Sequence, residues 1–244
     1  MSTLAPLSSR SLCLALALAA SGGLAEGAAG CSAMGGVTVP TVVELYTSEG
    51  CNSCPPADRW LASLKDQPGV VRLAFHVDYW DRLGWKDRFA DPAYTQRQNE
   101  VAKRAGARFV YTPQVVVDGA DWRGWPGLPR NAARPTTVQL TLVQDDAGYQ
   151  ARIVRAPGAP MRLAAYWAVT EDGHESQVKA GENAGATLRH DAVVREFVEV
   201  AAVGDAPLRF VPRSRAEAGV QRVLQFVVTD GTTGRPVQAA ACPA

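Results

Sequence analysis

The hydrophobic positions in the first half of the chain alternate between short apolar runs and a helical stripe. Residues 42–46 are rich in β-branched and aromatic side chains, which predicts a buried strand that ends at a turn near Gly50. Apolar residues then recur every three or four positions through 57–64, after two prolines that a first helical turn tolerates. Residues 70–77 are almost continuously apolar and predict a central strand. This order of elements predicts a βαβ unit.

A second helix and a hairpin follow this unit. Residues 91–106 have an N-cap aspartate, a first-turn proline and a terminal glycine, which together predict a helix. The aromatic and charged segment 78–89 lies before it and predicts a loop or a short helical insertion. Residues 115–117, followed by Asp-Gly, predict a strand and a hairpin turn. Because a proline opens this strand, the Thr112–Pro113 bond is a candidate for the cis form.

The pattern changes to short alternating strands from residue 135 onward. Six apolar segments, separated by turns that contain glycine or proline, predict a smaller all-β, sandwich-like domain over 135–244. We place the domain boundary near Arg134. The segment 181–185 has turn composition and predicts a loop that packs on the first domain.

The N-terminus has the pattern of a secretory signal. Arg10 precedes a short apolar run and small residues, so 1–25 are predicted to be a signal peptide and 26–40 a linker. No apolar run is long enough to span a bilayer as a helix. We therefore expect an exported protein, periplasmic or secreted, without a membrane span. Acylation of Cys31 in a lipoprotein is the alternative.

Composition narrows the class of protein only slightly. The chain has 244 residues, 47% hydrophobic residues and a net charge of +1, which are ordinary values for a globular protein. They imply no nucleic-acid partner and no cofactor. Four cysteines follow the predicted signal. Cys31 and Cys242 could join the two ends of the mature chain or remain as unpaired thiols.

Cys51 and Cys54 are the main candidates for chemistry. The predicted turn places this CxxC pair at a helix N-terminus, where unpaired amides favour the thiolate of Cys51. The spacing of three residues lets Cys54 close a disulfide with Cys51 or resolve a mixed disulfide formed there. We therefore predict that Cys51, at the exposed start of the helix, attacks and that Cys54 resolves. A copper or zinc site that adds His76 is the alternative, although structural zinc requires four ligands.

A CxxC at a strand-to-helix turn, followed by Thr-Pro before an edge strand, resembles the thioredoxin fold. Five segments between residues 41 and 200 further resemble the domain-of-unknown-function 1223 family: VELYTSEGCNSCPPAD, FHVDYWDRLGWKDRF, TQRQ, YTPQVVVDG and GENAGATLRHDAVVR. That family is thioredoxin-like and secreted, and its activity is unassigned. The resemblance implies an α/β, thioredoxin-like domain over 41–134, although the segment after the Asp-Gly turn offers little of a final helix.

The resemblance also implies roles for further residues. Pro113 would face the CxxC, and Thr112 would present backbone groups to a bound polypeptide or thiol. Glu44 resembles the buried acid that assists proton transfer in thioredoxins, with an offset of one residue; a salt-bridged glutamate is the alternative. Trp80 could cover the site and bind substrate, or could simply cover the insertion.

We therefore expect an exported thiol-disulfide oxidoreductase with Cys51, Cys54 and Glu44 as catalytic residues and Thr112, Pro113 and Trp80 as substrate-binding residues. Its partners would be a protein with a thiol or disulfide and a second redox protein. The alternatives are a thiol-based copper or zinc binding protein and a non-catalytic thioredoxin-like binding module.

Overall fold

The computed structural model describes residues 1, 30–129 and 133–244, so the predicted signal segment lies outside the described residues. Two helices and fourteen strands occur in this part of the chain. In chain order they are β1 (Ser32–Met34), β2 (Thr41–Thr47), α1 (Pro55–Ser63), β3 (Val70–His76), α2 (Pro92–Arg104), β4 (Gln114–Val117), β5 (Ala120–Asp121), β6 (Val138–Asp145), β7 (Gly148–Arg155), β8 (Leu163–Asp172), β9 (His174–Gln177), β10 (Thr187–His190), β11 (Val193–Val200), β12 (Leu208–Phe210), β13 (Gln221–Asp230) and β14 (Pro236–Pro243).

The predicted βαβ unit is present. β2 and β3 are parallel neighbours along their whole length, with Thr47 opposite His76, and α1 connects them. The Asp91 side chain caps α2 by accepting a hydrogen bond from the Ala93 amide at 2.8 Å. β4 pairs with β2 and turns through the predicted hairpin into β5. The insertion before α2 contains one 3-10 turn, Asp81–Leu83.

The sheet that contains β2 and β3 continues into the second half of the chain. Its order is β14-β13-β8-β11-β3-β2-β4-β5, and β11 joins β3 in parallel through Val193 and Ala74. One eight-stranded sheet therefore crosses the boundary expected near Arg134. The protein is mostly β-sheet, and the strands on both sides of that boundary share hydrogen bonds.

A second sheet, in the order β1-β6-β7-β12, covers part of the long sheet. The apolar faces of the two sheets meet in a core whose largest side chains come from Trp167, Phe226 and Tyr149. All six strands predicted after residue 135 are present. The expected linker 26–40 contributes β1, and the disulfide between Cys31 and Cys242 ties its start to β14.

The two helices lie on opposite faces of the long sheet. α1 packs on the face that includes Val43 and Leu45, whereas α2 packs on the face that includes Tyr46 and Phe75. This division follows from the alternation of side chains along a strand. Within the described part of the chain, no helix is both long and apolar enough to cross a membrane. The two disulfides are compatible with an exported protein.

Candidate functional site

The CxxC pair forms a closed disulfide at the start of α1. Cys51 and Cys54 are bonded with their Cα atoms 5.5 Å apart, and Cys54 is the residue that precedes the first helical turn. Pro55 and Pro56 begin the helix, as their missing amides and fixed φ predict. Both sulfur-bearing residues are fully buried. We expected Cys51 to be exposed, so the structure corrects this expectation.

Trp80 connects the cis-proline segment to the residue before Cys51. The Thr112–Pro113 bond is cis, which confirms that prediction. The Trp80 indole donates a 2.8 Å hydrogen bond to Thr112 Oγ1. Its Cβ also lies close to Gly50, where an added Cβ would approach it to 3.0 Å. The structure therefore brings Trp80 and Thr112 together beside the disulfide turn, and any larger residue at position 50 would disturb this arrangement.

The loop 181–185, between β9 and β10, covers the CxxC turn. The side-chain amide of Asn183 donates hydrogen bonds of 2.9 Å to the backbone carbonyls of both Glu49 and Cys51. The Glu182 carboxylate accepts a hydrogen bond from the Asn52 amide. The predicted packing of this loop on the first half of the chain is confirmed. These contacts hold the loop against the CxxC turn, in which Cys51 is fully buried although it lies at a helix start.

Glu44 lies on the opposite side of the sheet from the disulfide. Its carboxylate accepts hydrogen bonds from Arg97 at 2.7 Å and from the Tyr46 hydroxyl at 2.9 Å. Tyr46 packs on the α2 face, so Glu44 belongs to that face as well. Glu44 is therefore a salt-bridged glutamate, as the alternative prediction proposed, and it does not lie beneath the disulfide.

Asp58 is a buried acid that the CxxC helix places on the disulfide face. It lies one turn after Cys54 in α1, and its carboxylate accepts a 3.1 Å hydrogen bond from the Thr47 hydroxyl. Burial raises the pKa of Asp58, although the nearby His190 and His76 act in the opposite direction. Asp58 was not among the site residues predicted from the sequence. The available signal was its spacing of four from Cys54, which places both on one helix face.

All three histidines of the chain meet around Phe89. The ring centroids of His76, His174 and His190 lie 5.1, 4.8 and 5.6 Å from that of Phe89. The rings of His76 and His190 are themselves 5.0 Å apart. Together with Glu49, Asp58 and Asp87, these two residues form what we call the histidine–carboxylate cluster.

Asp87 fixes the orientation of His76. Its carboxylate lies 2.7 Å from His76 Nδ1 and also accepts hydrogen bonds from the Glu49 and Phe89 amides. Burial opposes ionisation of Asp87, but the charge of His76 and these hydrogen bonds lower its pKa to about 2. Burial likewise opposes the charge on His76, and the attraction of Asp87 nevertheless raises the pKa of His76. The two side chains form a buried ion pair.

Glu49 joins the cluster to the CxxC turn. The Trp85 indole donates a 2.6 Å hydrogen bond to Glu49 Oε2, and His190 Nε2 lies 3.3 Å from Oε1. Burial would raise the pKa of Glu49, but its contacts with His190, Ser176 and Trp85 lower it. Five buried polar atoms of this region make no well-aligned hydrogen bond within the described residues: Glu49 Oε1, His76 Nε2, Ser176 Oγ and both ring nitrogens of His190.

Comparison with known proteins places the chain in a family. Residues 42–228 match the family described as protein of unknown function DUF1223. The chain belongs to this family. This DUF1223 protein is similar to a protein from Agrobacterium tumefaciens solved by X-ray crystallography, with a TM-score of 0.57 and 24% identity over 84% of this chain and 94% of that chain. It is also similar to HBP35 of Porphyromonas gingivalis, with a TM-score of 0.54 and 14% identity over 85% and 76% of the two chains.

No curated protein matches this DUF1223 protein. The two solved structures are less than 25% identical to it, so their likeness concerns the fold alone.

A second group of potential ligands lies on the far side of Phe89. Glu171, His174 and Glu217 bring one ligand atom each within 4.8 Å of one another. Arg195 lies 3.3 Å from Glu171, and Arg88 contacts both Glu217 and His174. Because guanidinium groups already neutralise these carboxylates, the donor set fits an ion-pair network better than a bound cation.

Proposed function

We propose that this DUF1223 protein is an exported thiol-disulfide oxidoreductase whose first half is thioredoxin-like. The observation that carries the proposal is the closed disulfide of Cys51 and Cys54 at the start of α1, which Trp80 connects to the cis Thr112–Pro113 segment through its contacts with Gly50 and Thr112. A disulfide of this kind needs only a thiol as its co-reactant. The βαβ unit, α2 and the β4–β5 hairpin occur in the order that the thioredoxin resemblance implies. The similar solved structures share the overall fold of this chain and support no particular activity.

Each proposed role follows from the position of the residue. Cys51 precedes the helix and would be the sulfur that a partner thiol attacks or leaves, because the dipole of α1 stabilises a thiolate at the start of the helix. Cys54 would be the resolving thiol. Thr112 and Pro113 would orient the partner, and Trp80 would form one wall of its binding site. The substrate would be a protein with a thiol or disulfide, and a second redox protein would restore the starting state.

The loop 181–185, which covers the CxxC turn, adds a requirement to this function. Because Asn183 and Glu182 bind the CxxC turn, a partner must displace the loop 181–185 before its sulfur can reach Cys51. A partner that offers its own hydrogen bonds to the Cys51 and Glu49 carbonyls would compensate for those lost. This favours a polypeptide substrate over a small thiol without such groups.

A thiol-based metal binding protein is the second candidate. The observation that favours it is the pairing of His76 Nδ1 with Asp87, which leaves Nε2 buried and without a hydrogen bond among the described residues. Carboxylate pairing of this type orients histidine ligands in metal sites. Reduction of the disulfide would then supply two sulfur ligands. Anaerobic titration of the reduced protein with copper and zinc separates this candidate from the first, since tight stoichiometric binding that requires His76 supports it.

Trapping of partners tests the oxidoreductase function directly. Cys54→Ser keeps the attacking thiol and removes the thiol that would expel a bound partner. This variant should accumulate covalent adducts in exported extracts that dissolve in reductant, whereas Cys51→Ser should accumulate none. Thr112 and Pro113 variants in the Cys54→Ser background should lower the yield of adducts. Equal adducts from both cysteine variants, or none from either, would contradict the proposal.

A further inference from the structure

Tyr111, the residue before the Thr112–Pro113 bond, is held at both its backbone and its side chain. The buried Gln98 of α2 donates a 2.8 Å hydrogen bond to the Tyr111 carbonyl. The Tyr111 hydroxyl donates a 2.7 Å hydrogen bond to Asp121 Oδ1 in β5, and the Gln114 side chain donates to the same oxygen at 3.0 Å. The position of the Tyr111 ring is therefore fixed relative to the segment that the proposed function assigns to partner binding.

Arg123 lies over this ring. Its guanidinium carbon is 4.8 Å from the centroid of the Tyr111 ring, and its Nε donates a 3.1 Å hydrogen bond to Asp121 Oδ2. Burial opposes ionisation of Asp121, but the hydrogen bonds from Tyr111, Gln114 and Arg123 lower the pKa of this carboxyl group. Asp121 is therefore charged at neutral pH and binds the tyrosine and the arginine through separate oxygens.

The outer edge of the Arg123 guanidinium faces solvent. The side chain is 72% exposed, and its ion pair with Asp121 uses Nε, so the two terminal nitrogens make no ion pair with any residue that the structure describes. Two parallel N–H groups of this kind match the geometry of a carboxylate. Because Asp121 and the Tyr111 ring already hold the guanidinium, the binding of a carboxylate would cost little further side-chain entropy.

The segment that carries Arg123 is joined to both parts of the candidate site. Two residues after the arginine, the Trp125 ring packs with its centroid 6.2 Å from that of Trp60, which belongs to the CxxC helix. Tyr111, which lies below the guanidinium, directly precedes the Thr112–Pro113 bond. A ligand of Arg123 would therefore lie beside the surface at which a partner of the disulfide is expected.

We propose that Arg123, held by Tyr111 and Asp121, binds a carboxylate that lies close to the reacting cysteine of the partner polypeptide. The inference rests on the proposed oxidoreductase function and names its class of substrate, an acidic segment around a thiol or disulfide. Because Arg123 is exposed while the loop 181–185 covers the CxxC turn, the partner can bind at Arg123 before that loop moves. The bound partner is then beside the disulfide when the loop opens.

Transfer of a peptide to Cys51 measures this recognition in one chemical step. The Cys54→Ser variant, with its Cys31–Cys242 disulfide intact, is mixed with a peptide whose cysteine is bonded to nitrothiobenzoate. The Cys51 thiolate attacks the peptide sulfur, and a bond between these two sulfurs forms. The bond to nitrothiobenzoate breaks, and the electron pair leaves with this group as a coloured thiolate. Stopped-flow absorbance follows its release, and mass spectrometry assigns the adduct to Cys51.

Two peptides with blocked ends, Glu-Ala-Cys-Ala-Glu and Gln-Ala-Cys-Ala-Gln, differ in the charge beside the cysteine. At low salt and low peptide concentration the acidic peptide should react about fivefold faster, the upper range for an exposed ion pair. The gain should appear as a lower half-saturating concentration with an equal limiting rate, because the carboxylate contacts Arg123 and not the sulfurs. Arg123→Gln in the same background should remove the difference between the peptides. Arg123 is exposed, so this substitution should leave the fold intact.

Arg209→Gln is the matched control, because Arg209 is also an exposed arginine that pairs with an aspartate, Asp145, but lies on the second sheet. This substitution removes the same charge from the protein and should keep the fivefold preference. Equal rates for the two peptides before any change at Arg123 would overturn the carboxylate site. An equal loss of preference in Arg123→Gln and Arg209→Gln would also overturn it, since attraction by net charge would then explain the preference.

The neutral peptide distinguishes failure of this inference from failure of the proposed function. If neither peptide forms an adduct at Cys51, this cysteine is not an attacking thiol, and the oxidoreductase proposal fails together with the inference. If both peptides form adducts at equal rates, Cys51 does exchange disulfides, and only the recognition of an acidic segment is wrong.

Discussion

Replacement of Asp87 by asparagine tests whether the buried pair with His76 stabilises the fold. The pKa of Asp87 falls from 3.8 to about 2 in the folded protein. At 1.36 kcal/mol for each pKa unit, this difference corresponds to about 2 kcal/mol of folding free energy. Asparagine keeps the size of the side chain and can still accept a hydrogen bond from the Glu49 amide. The substitution therefore removes mainly the charge.

The folding free energy that Asp87→Asn removes depends on pH with a definite sign. A lowered carboxyl pKa stabilises the fold above the unfolded value, 3.8, and the contribution disappears as the pH falls toward 2. The raised pKa of His76 stabilises the fold below its unfolded value, 6.5, and that contribution disappears as the pH rises through the folded value. The destabilisation caused by Asp87→Asn should therefore be greatest between these two unfolded values and should shrink on both sides.

Urea unfolding of the oxidised protein, followed by tryptophan fluorescence at pH 3, 5.5 and 9, measures this effect. Asp145→Asn is the control. Asp145 also pairs with a cationic side chain, that of Arg209, but both members of this pair are exposed. The control should lose less than about 0.5 kcal/mol. An Asp87→Asn loss that is equal at pH 3 and 5.5, or absent at 5.5, would refute the buried ion pair.

Three other substitutions test separate parts of the structure. Cys242→Ser should lower the free energy of unfolding by about 2–5 kcal/mol, because it opens a loop closed across 211 positions, and unchanged urea unfolding would contradict this. Glu44→Gln should destabilise the fold by about 3 kcal/mol, because Arg97 loses a buried partner, and should not change the rate at which dithiothreitol reduces the CxxC disulfide. A slower reduction would restore Glu44 to the site. Asn183→Ala should speed reduction of the CxxC disulfide by dithiothreitol about tenfold, because two hydrogen bonds of Asn183 hold the loop 181–185 over the CxxC turn. The exposed Asn99→Ala should leave this rate unchanged. Equal rates for the two variants would show that the loop does not limit access to the disulfide.

Local patterns were sufficient to predict the elements around the disulfide. The strand before Gly50, the prolines at the start of α1 and the N-cap at Asp91 each depend on neighbouring residues only, and each occurs where the pattern placed it. The cis bond at Pro113 was predictable because the proline opens a strand that the thioredoxin resemblance places opposite the CxxC. Capping, turn chemistry and hydrophobic period act over a few residues, so a single sequence contains them.

The histidine–carboxylate cluster could not be predicted in the same way. His76 and His190 are separated by 114 positions and come from strands whose contact depends on how the β9–β10 hairpin folds back over α1. The periodicity of the second half predicted strands but not which of them would extend the first sheet. Burial of Cys51 depends on the same hairpin, through Asn183. The contacts that cover and surround the disulfide are therefore long-range consequences of sheet order.

The position of Glu44 shows how a shift of one residue along a strand changes the face of the sheet on which a buried acid lies. Successive side chains of a strand point to opposite faces, so Glu44 shares the α2 face with Tyr46 while Leu45 and Thr47 share the α1 face with the disulfide. Arg97 neutralises the carboxylate on the α2 face. On the α1 face no strand position of β2 carries an acid, and Asp58 of the helix reaches Thr47 instead. Asp58 therefore lies on the disulfide face because the CxxC helix carries it, whereas the parity of β2 places Glu44 on the opposite face.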